Sequence, residues 1–170
     1  SAWCWGRNDR GQLGLGDQEP KALPTKVEGL ANVVSLSAGG AHTCAVTRGG
    51  AAHCWGDNAS GQLGDGATTT LSRPARVVGL PAVRLIVAGG GSLGAHTCAV
   101  AGAGAPYCWG SNASSQLGSA SDPTRHVRPV QISALTDVQS AVAGGLHSCA
   151  LCDKGRIFCW GNNGDGQLGD

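Results

Sequence analysis

The sequence CWGDNASGQLG at residues 54–64 decides the fold, because it recurs with small changes along the whole chain. Related copies begin at Cys4, Cys108 and Cys159. The copy at residues 108–118 has Ser115 where the others have glycine. A period of about 50 residues indicates a repeat architecture, in which each unit buries its apolar surface against its neighbours.

A second block, GAHTCAV at residues 40–46, lies before three of the four copies and recurs at residues 94–100 and, as GLHSCAL, at residues 145–151. Runs rich in Val, Leu and Ala alternate with glycine-bearing turns within one repeat. These runs predict four short strands, at Val33–Ala38, His42–Val46, Ala51–Trp55 and Pro74–Val77. Four strands in about 50 residues are typical of one propeller blade. We therefore predict an all-β fold made of propeller blades of four antiparallel strands.

The repeats predict one repeat domain over residues 1–170, with about three and a third units. The predicted units are residues 1–32 (partial), 33–82, 83–137 and 138–170 (partial). Because three and a third blades do not close a ring, three arrangements stay open: a piece of a longer propeller, an arc completed by a second copy, and a filament. The chain contains no methionine, so we expect it to have been processed or excised from a longer product.

The combined pattern, Gly-x-His-Thr-x-Ala-Val followed by Trp-Gly-x-Asn-x-x-Gly-Gln-Leu-Gly, resembles the regulator of chromosome condensation repeat over essentially the whole chain. This resemblance implies a β-propeller, most often of seven blades, and a packing role for His42, His96 and His147. It also implies nucleotide exchange on a small GTPase as one function, as in the family's namesake. The chain departs from the pattern in the cysteine before each repeated tryptophan, in Ser115 and in an insertion at residues 91–94.

The composition excludes several classes of function. Hydrophobic residues make up 41% of the chain and charged residues 14%, and 29 residues are glycine, which favours a packed core with many tight turns. Twelve Lys and Arg against eleven Asp and Glu give a net charge of +1, so we predict no nucleic-acid partner, which would need a basic face. No apolar run approaches the ~18 residues of a membrane span, so we predict no membrane insertion.

Six of the eight cysteines stand in pairs ten residues apart. In a hairpin centred on Gly49, Cys44 and Cys54 lie opposite each other, which suits a disulfide between the two strands. The same spacing of ten residues places Cys98 opposite Cys108 and Cys149 opposite Cys159. Disulfides predict an oxidising location, which is secreted, periplasmic or at the cell surface, and they argue against a nuclear or cytosolic exchange factor.

Two alternatives for the cysteines stay open. Each pair has a histidine two residues before its first cysteine, so zinc could be bound instead, although two thiolates and one imidazole fall short of the usual four ligands. Cys4 and Cys152 have no pairing partner in the pattern; they could be free, could pair with each other or could link chains. We favour disulfides and predict no bound metal and no cofactor.

No catalytic constellation stands out, and we predict that the chain is not an enzyme. The Gly-Gln-Leu-Gly blocks lack the Lys-Ser/Thr of a phosphate-binding loop. One tryptophan per repeat favours packing between blades over a light-absorbing cluster. Asn58-Ala59-Ser60 and Asn112-Ala113-Ser114 are formal N-glycosylation acceptors, although the repeat places asparagine there anyway.

We therefore predict a binding module whose variable loops contact a protein partner of unknown identity, because loops on a rigid scaffold often carry recognition. The candidate binding residues in these loops are Asp17, Gln18, Asp65, Thr69, Ser92, Leu93, Arg125, His126 and Arg128. The alternative is a self-assembling structural unit whose partner is another copy of the chain. Guanine nucleotide exchange is the third and least favoured function.

Overall fold

A computed structural model of the chain describes residues 1–91, 94–119 and 124–170. The described residues form thirteen strands and one short 3₁₀ turn, Asp153–Gly155. The strands are β1 (Ala2–Gly6), β2 (Lys21–Val27), β3 (Val33–Ala38), β4 (His42–Thr47), β5 (Ala52–Gly56), β6 (Leu71–Arg76), β7 (Val83–Gly89), β8 (His96–Ala101), β9 (Ala105–Ser111), β10 (Arg125–Gln131), β11 (Val138–Ala143), β12 (His147–Cys152) and β13 (Ile157–Gly161).

The strands form four antiparallel sheets, which we call blades 1 to 4. Blade 1 contains β1 and β2, blade 2 contains β3 to β6, blade 3 contains β7 to β10, and blade 4 contains β11 to β13. Within each blade the strands pair in chain order. The predicted all-β fold of four-stranded propeller blades is confirmed, and blades 1 and 4 contain only part of the strand set among the described residues.

The last strand of blade 2 starts earlier than the sequence predicts. It covers Leu71–Arg76 rather than Pro74–Val77, because Leu71 pairs with Gly56 across an irregularity that separates it from the pair Cys54–Ala75. The irregularity adds residues to β6 only, so the alternation of apolar residues does not reveal where the strand begins.

The hydrophobic core lies between the blades. Val46 and Cys54 of blade 2 pack with Ile86, Ala99 and Trp109 of blade 3. Trp55 of blade 2 packs in the same way against Ala2 and Val27 of blade 1. Trp55 and Trp109 therefore each fill a separate interface, as packing between blades requires, and these two buried tryptophans do not gather into one cluster.

Close approach of the tryptophan explains one glycine of the repeat. Gly64 has φ +69°, and a Cβ atom at this residue would lie 2.6 Å from Trp109 Nε1. Gly14 and Gly118 stand in the same relation to Trp55 and Trp160. A side chain at these positions would force the blades apart, so the glycine that ends Gly-Gln-Leu-Gly is required by the interface.

Replacing the buried tryptophan is expected to loosen the interface between blades 2 and 3. Trp109 is fully buried, so Trp109→Ala should lower the free energy of unfolding by about 3–5 kcal/mol. The matched control is Trp5→Ala, because Trp5 holds the same position in the repeat but is 59% exposed; it should cost less than about 1 kcal/mol. Urea unfolding followed by circular dichroism measures both. Equal losses for the two variants would contradict the interface role.

Candidate binding face

Because the sheets are antiparallel, the connections alternate between the two ends of each blade. The loops between β1 and β2, β5 and β6, and β9 and β10 therefore emerge at the same end as the turns between β3 and β4, β7 and β8, and β11 and β12. We call this end the loop face. It holds most of the candidate binding loops that the sequence predicts.

A buried asparagine holds the shape of each long loop. Asn58 is fully buried, and its Nδ2 donates to Asp65 Oδ1 at 3.1 Å and to the carbonyl oxygens of Ala67 and Thr69. Its Oδ1 accepts a hydrogen bond from Leu63 N at 3.0 Å. One side chain thus fastens both ends of the loop, and this is the role of the asparagine in Trp-Gly-x-Asn.

The same contacts recur in the neighbouring blades. Asn8 donates to Asp17 Oδ1 at 3.0 Å and to two loop carbonyls, and it accepts from Leu13 N. Asn112 is buried, donates to Ser119 O and accepts from Leu117 N. Because the Nδ2 atoms of Asn58 and Asn112 are used inside the folded loops, neither asparagine is accessible as a glycan acceptor.

Removing the loop asparagine is expected to destabilise blade 2. Asn58→Ala deletes the acceptor of Leu63 N and the donor of three loop oxygens, which should cost about 2–4 kcal/mol. Asn163→Ala is the matched control, since Asn163 makes the equivalent bond to Leu168 N but is exposed; it should cost under about 1 kcal/mol. Thermal unfolding measures the two variants, and a control as damaging as Asn58→Ala would show that burial is not the cause.

Backbone carbonyls of the loops hold adjacent blades together. Gln62 O in blade 2 accepts hydrogen bonds from Trp109 Nε1 at 2.9 Å and from Thr97 Oγ1 at 2.8 Å, both in blade 3. The equivalent carbonyl of Gln12 binds Trp55 and Thr43, and that of Gln116 binds Trp160 and Ser148. Each loop is therefore fixed to the blade that follows it.

At the interfaces between blades 2 and 3 and between blades 3 and 4, a histidine binds the hydroxyl group that donates to the glutamine carbonyl. His42 Nε2 lies 2.9 Å from Thr97 Oγ1, and His96 Nε2 lies 2.8 Å from Ser148 Oγ. Because each hydroxyl already donates to a glutamine carbonyl, it accepts the hydrogen bond from the histidine, which assigns the proton to Nε2.

His42 and His96 are buried with Nδ1 unpartnered. Burial lowers the pKa of His42 to about 3 and that of His96 to about 4, with a smaller contribution in each case from the histidine of the next blade.

The loops of blades 1 to 3 meet around a concavity of about 420 Å³ on the loop face. Arg7 and Arg10 come from blade 1 and Asp57 from blade 2, and Gly91 and Gly94 of the blade 3 turn form part of the wall. Arg7 is paired with Asp9 at 2.6 Å and is largely exposed. The concavity therefore presents both signs of charge on loops that the hydrogen bonds above hold in place.

The outer rim of the loop face is formed where each loop meets the next blade. Gly66 N donates to Val127 O at 3.0 Å, and the guanidinium of Arg128 lies over Gly66. Arg125 Nη1 donates to Ala59 O at 3.1 Å. Arginines of blade 3 thus lie across the loop of blade 2 and remain exposed on their outer side.

The predicted binding residues are placed as follows. Gln18 and Thr69 are exposed on the loop face, Asp17 and Asp65 are half-buried braces of their own loops, and His126 is half-buried at the start of β10 with Nε2 unpartnered. Arg125 and Arg128 form the outer rim. Ser92 and Leu93 lie outside the described residues.

The sequence reasoning missed the residues that line the concavity. Arg7, Arg10 and Asp57 occupy the variable positions inside Trp-Gly-x-Asn-x-x-Gly-Gln-Leu-Gly. A comparison of the four copies could have found them. The residues that recur in every copy build the loop, so the positions between them that differ from copy to copy are the ones that face outward.

Three disulfides are present, at the pairs that the hairpin register predicts: Cys44–Cys54, Cys98–Cys108 and Cys149–Cys159. Their sulfurs are not thiolates, so they do not supply the ligands of the alternative zinc site. Within residues 1–91, 94–119 and 124–170, no group of three or more metal-ligating side chains comes together. Cys4 and Cys152 are free and are not bonded to each other.

Among the described residues, no helix is long and apolar enough to cross a membrane.

A model of the regulator of chromosome condensation (RCC1) repeat matches residues 1–46, 49–100 and 103–151. A second model with the same description matches residues 33–62 and 138–167. The ultraviolet-B receptor UVR8 of Arabidopsis thaliana is 36% identical over 169 residues, which are 97% of this chain and 38% of the receptor. The human E3 ubiquitin-protein ligase HERC2 is 32% identical over 168 residues, or 97% of this chain and 4% of the ligase.

Solved structures share the fold. Prp20p from Saccharomyces cerevisiae superposes with a TM-score of 0.83 at 25% identity, covering 99% of this chain and 42% of that chain. Human WBSCR16 superposes with a TM-score of 0.80 at 25% identity, covering 94% of this chain and 42% of that chain. The chain spans 38% of the length of the ultraviolet-B receptor and 42% of the length of Prp20p.

Proposed function

This chain belongs to the regulator of chromosome condensation repeat family, and we propose that it is a non-enzymatic scaffold that binds a protein partner through the loop face. The observation that supports this most directly is the rigidity of that face. Its loops are held by buried asparagines and tied to the next blade through the Gln12, Gln62 and Gln116 carbonyls. A preorganised surface loses little conformational entropy on binding, which favours affinity.

The charge of the loop face favours a protein over a polyanion. Arg7 and Arg10 share the concavity with Asp57, and Arg7 is partly neutralised by Asp9. A nucleic-acid partner would need a face of one sign. Prp20p, which shares the fold, was described together with its binding properties to Gsp1p and histones. A protein partner for this chain is consistent with that relative.

The partner can be sought with a matched pair of variants. Arg7→Glu combined with Arg10→Glu reverses two exposed charges of the loop face, and Arg48→Glu combined with Lys154→Glu does the same at the opposite end of the blades. Surface changes of this kind alter stability by under about 0.5 kcal/mol. Cross-linking in an extract of the source cells, quantified by mass spectrometry, should give proteins that the first variant loses and the second retains.

Two results would count against the scaffold. If both variants lost the same proteins, the contacts would not be specific to the loop face. If the purified chain accelerated nucleotide release from a small GTPase, the exchange activity that we favour least would replace the scaffold. We also propose an oxidising location, supported by the disulfides at Cys44–Cys54, Cys98–Cys108 and Cys149–Cys159.

A further inference from the structure

The end of the blades opposite the loop face carries a cavity between blades 2 and 3. This end, which we call the hairpin face, holds the tight turns at residues 48–51, 102–104 and 153–156. The cavity has a volume of about 400 Å³, which is within the range of sites for small ligands. Blades 2 and 3 each have all four strands, so the cavity lies between two complete sheets.

Backbone hydrogen bonds fix the walls of this cavity. Val83 N of blade 3 donates to Gly50 O of blade 2 at 2.9 Å, and Gly102 N donates to Ala82 O at 3.1 Å. A Cβ atom at Gly50 would lie 2.7 Å from Ala82 Cβ, so the turn of blade 2 packs directly on blade 3. The cavity is therefore formed by the fold itself, and a ligand need not pay to create it.

Two guanidinium groups line the cavity. Arg48 comes from the turn of blade 2 and Arg84 from β7 of blade 3, and both are exposed. Among the described residues neither arginine forms an ion pair. Arg84 Nη2 donates to Val138 O, which leaves other N–H groups of this guanidinium for a ligand. Two unpaired guanidinium groups in one cavity favour an anion, and a carboxylate suits their geometry.

Val34 adds an apolar surface beside these cations. Its side chain is 57% exposed and lines the same cavity, and Ala82 contributes a second small apolar side chain. An aliphatic group placed against Val34 would remove apolar surface from water. The cavity therefore suits a ligand that carries an aliphatic group next to its carboxylate.

The equivalent cavity between blades 3 and 4 has a different charge. It has a volume of about 450 Å³, and Asp137 and Asp153 line it together with Arg84. In the repeat these two aspartates take the places of Ala82 and Gly102 of blade 3. The backbone of the repeat thus builds both cavities, and the side chains at these positions determine their charge. Of the two, the cavity between blades 2 and 3 suits an anion.

We propose that this cavity binds the carboxyl-terminal residue of a polypeptide whose last side chain is a branched aliphatic one. The terminal carboxylate accepts hydrogen bonds from Arg48 and Arg84, and the side chain covers Val34. A terminal residue carries both groups on one carbon atom, whereas an internal aspartate or glutamate offers the carboxylate without the branch. Because the three lining side chains are exposed, the preceding residues of the polypeptide can leave the cavity. The site lies opposite the loop face and does not depend on the scaffold proposal.

The probe is the synthetic peptide Gly-Ser-Gly-Ser-Val with fluorescein at its amino end and a free carboxyl end. Fluorescence anisotropy during titration with the whole chain gives its affinity. The same peptide with a carboxyl-terminal amide should bind about 10-fold less tightly, because it lacks the charge-assisted hydrogen bonds. Arg48→Gln should weaken binding of the acid peptide by about 10-fold, and Val34→Ala should weaken it by about threefold. Both residues are exposed, so the variants should fold.

A matched pair of variants tests the comparison with the neighbouring cavity. Ala82→Asp places in this cavity the carboxylate that Asp137 supplies in the next one, and it should weaken binding by about 10-fold through repulsion. Ala134→Asp adds the same charge at an exposed position of the hairpin face that lines neither cavity, and it should change the affinity by less than about twofold.

Three results would overturn the proposal. Equal affinity for the acid and amide peptides would show that the carboxylate is not recognised. Unchanged affinity in Arg48→Gln would place the peptide elsewhere on the chain. If free 3-methylbutanoate displaced the labelled peptide at the same concentration as the unlabelled peptide, the ligand would be a small acid and not the end of a polypeptide.

Discussion

Complete reduction of the three disulfides is expected to lower the free energy of unfolding by about 8 kcal/mol. Each disulfide joins cysteines ten residues apart, and closing a loop of that size stabilises a fold by about 2.8 kcal/mol in the chain-entropy model. The three hairpins lie in different blades, so their contributions should add. The total is comparable with the whole stability of a typical domain, about 5–15 kcal/mol. The reduced chain should therefore be largely unfolded in moderate urea.

Urea unfolding followed by tryptophan fluorescence, with and without a phosphine reductant, measures this loss. Mass spectrometry after alkylation verifies that all six thiols were released. An unchanged midpoint with fully released thiols would contradict the prediction. The same alkylation, applied to protein taken from its natural source, tests the proposed oxidising location, because six protected cysteines are expected there.

Two double variants distinguish loop entropy from packing. Cys44→Ala with Cys54→Ala removes a disulfide that is fully buried between blades 2 and 3, whereas Cys149→Ala with Cys159→Ala removes one that is half-buried. Both lose the same loop-closure contribution, since both pairs are ten residues apart. The first should cost about 1–2 kcal/mol more, because it also leaves a cavity in the inter-blade core. Equal losses would assign the stabilisation to loop closure alone.

The sequence predicts the parts of this fold that depend on local periodicity. The strand Val33–Ala38 follows from alternation and a glycine turn, and it is observed with those bounds. The cysteine spacing predicts the disulfide pairs, because antiparallel pairing about one turn determines which residues are opposite. Ser115 departs from the repeat, yet it adopts φ 60° in place of the usual glycine, so the turn survives the substitution.

The contacts between blades could not be predicted in the same way. The acceptor for Trp109 and Thr97 is the backbone carbonyl of Gln62, and every residue has such a carbonyl, so the side-chain pattern does not single it out. The concavity lined by Arg10 and Asp57 depends on the placement of one blade beside another. Spacing within one repeat contains no information about that placement.

Acidification is expected to destabilise the chain because of His42 and His96. Burial lowers the pKa of His42 to about 3 and that of His96 to about 4, from an ordinary value of 6.5. Between these values and 6.5, the unfolded chain binds protons that the folded chain does not, so stability falls as the pH falls. Each histidine contributes about 1.4 kcal/mol per pH unit inside its window. Lowering the pH from 7 to 4 should therefore cost roughly 6–7 kcal/mol.

The expected loss of stability at low pH arises from the surroundings of each buried imidazole. Nε2–H of His42 donates to Thr97 Oγ1, and its Nδ1 is buried with no partner. Protonation would place a charge on Nδ1 in a site without an acceptor, and His96 lies near enough to oppose it. The proton is therefore taken up on unfolding, when the imidazole reaches water.

A double variant tests this origin of the acid sensitivity. His42→Gln with His96→Gln keeps an N–H donor at each position but cannot be protonated, so the variant should lose stability at pH 7 and yet show a much flatter stability profile between pH 6.5 and 4. The matched control is Leu63→Ala, because Leu63 is buried in the core between blades 2 and 3 and its loss destabilises the fold without removing an ionisable group; it should keep the slope of the parent chain. The urea concentrations at the midpoint of unfolding, measured between pH 6.5 and 4, give the slope for each variant. If the double variant retained the parent slope, the acid sensitivity would come from other groups, and the buried histidines would serve packing alone.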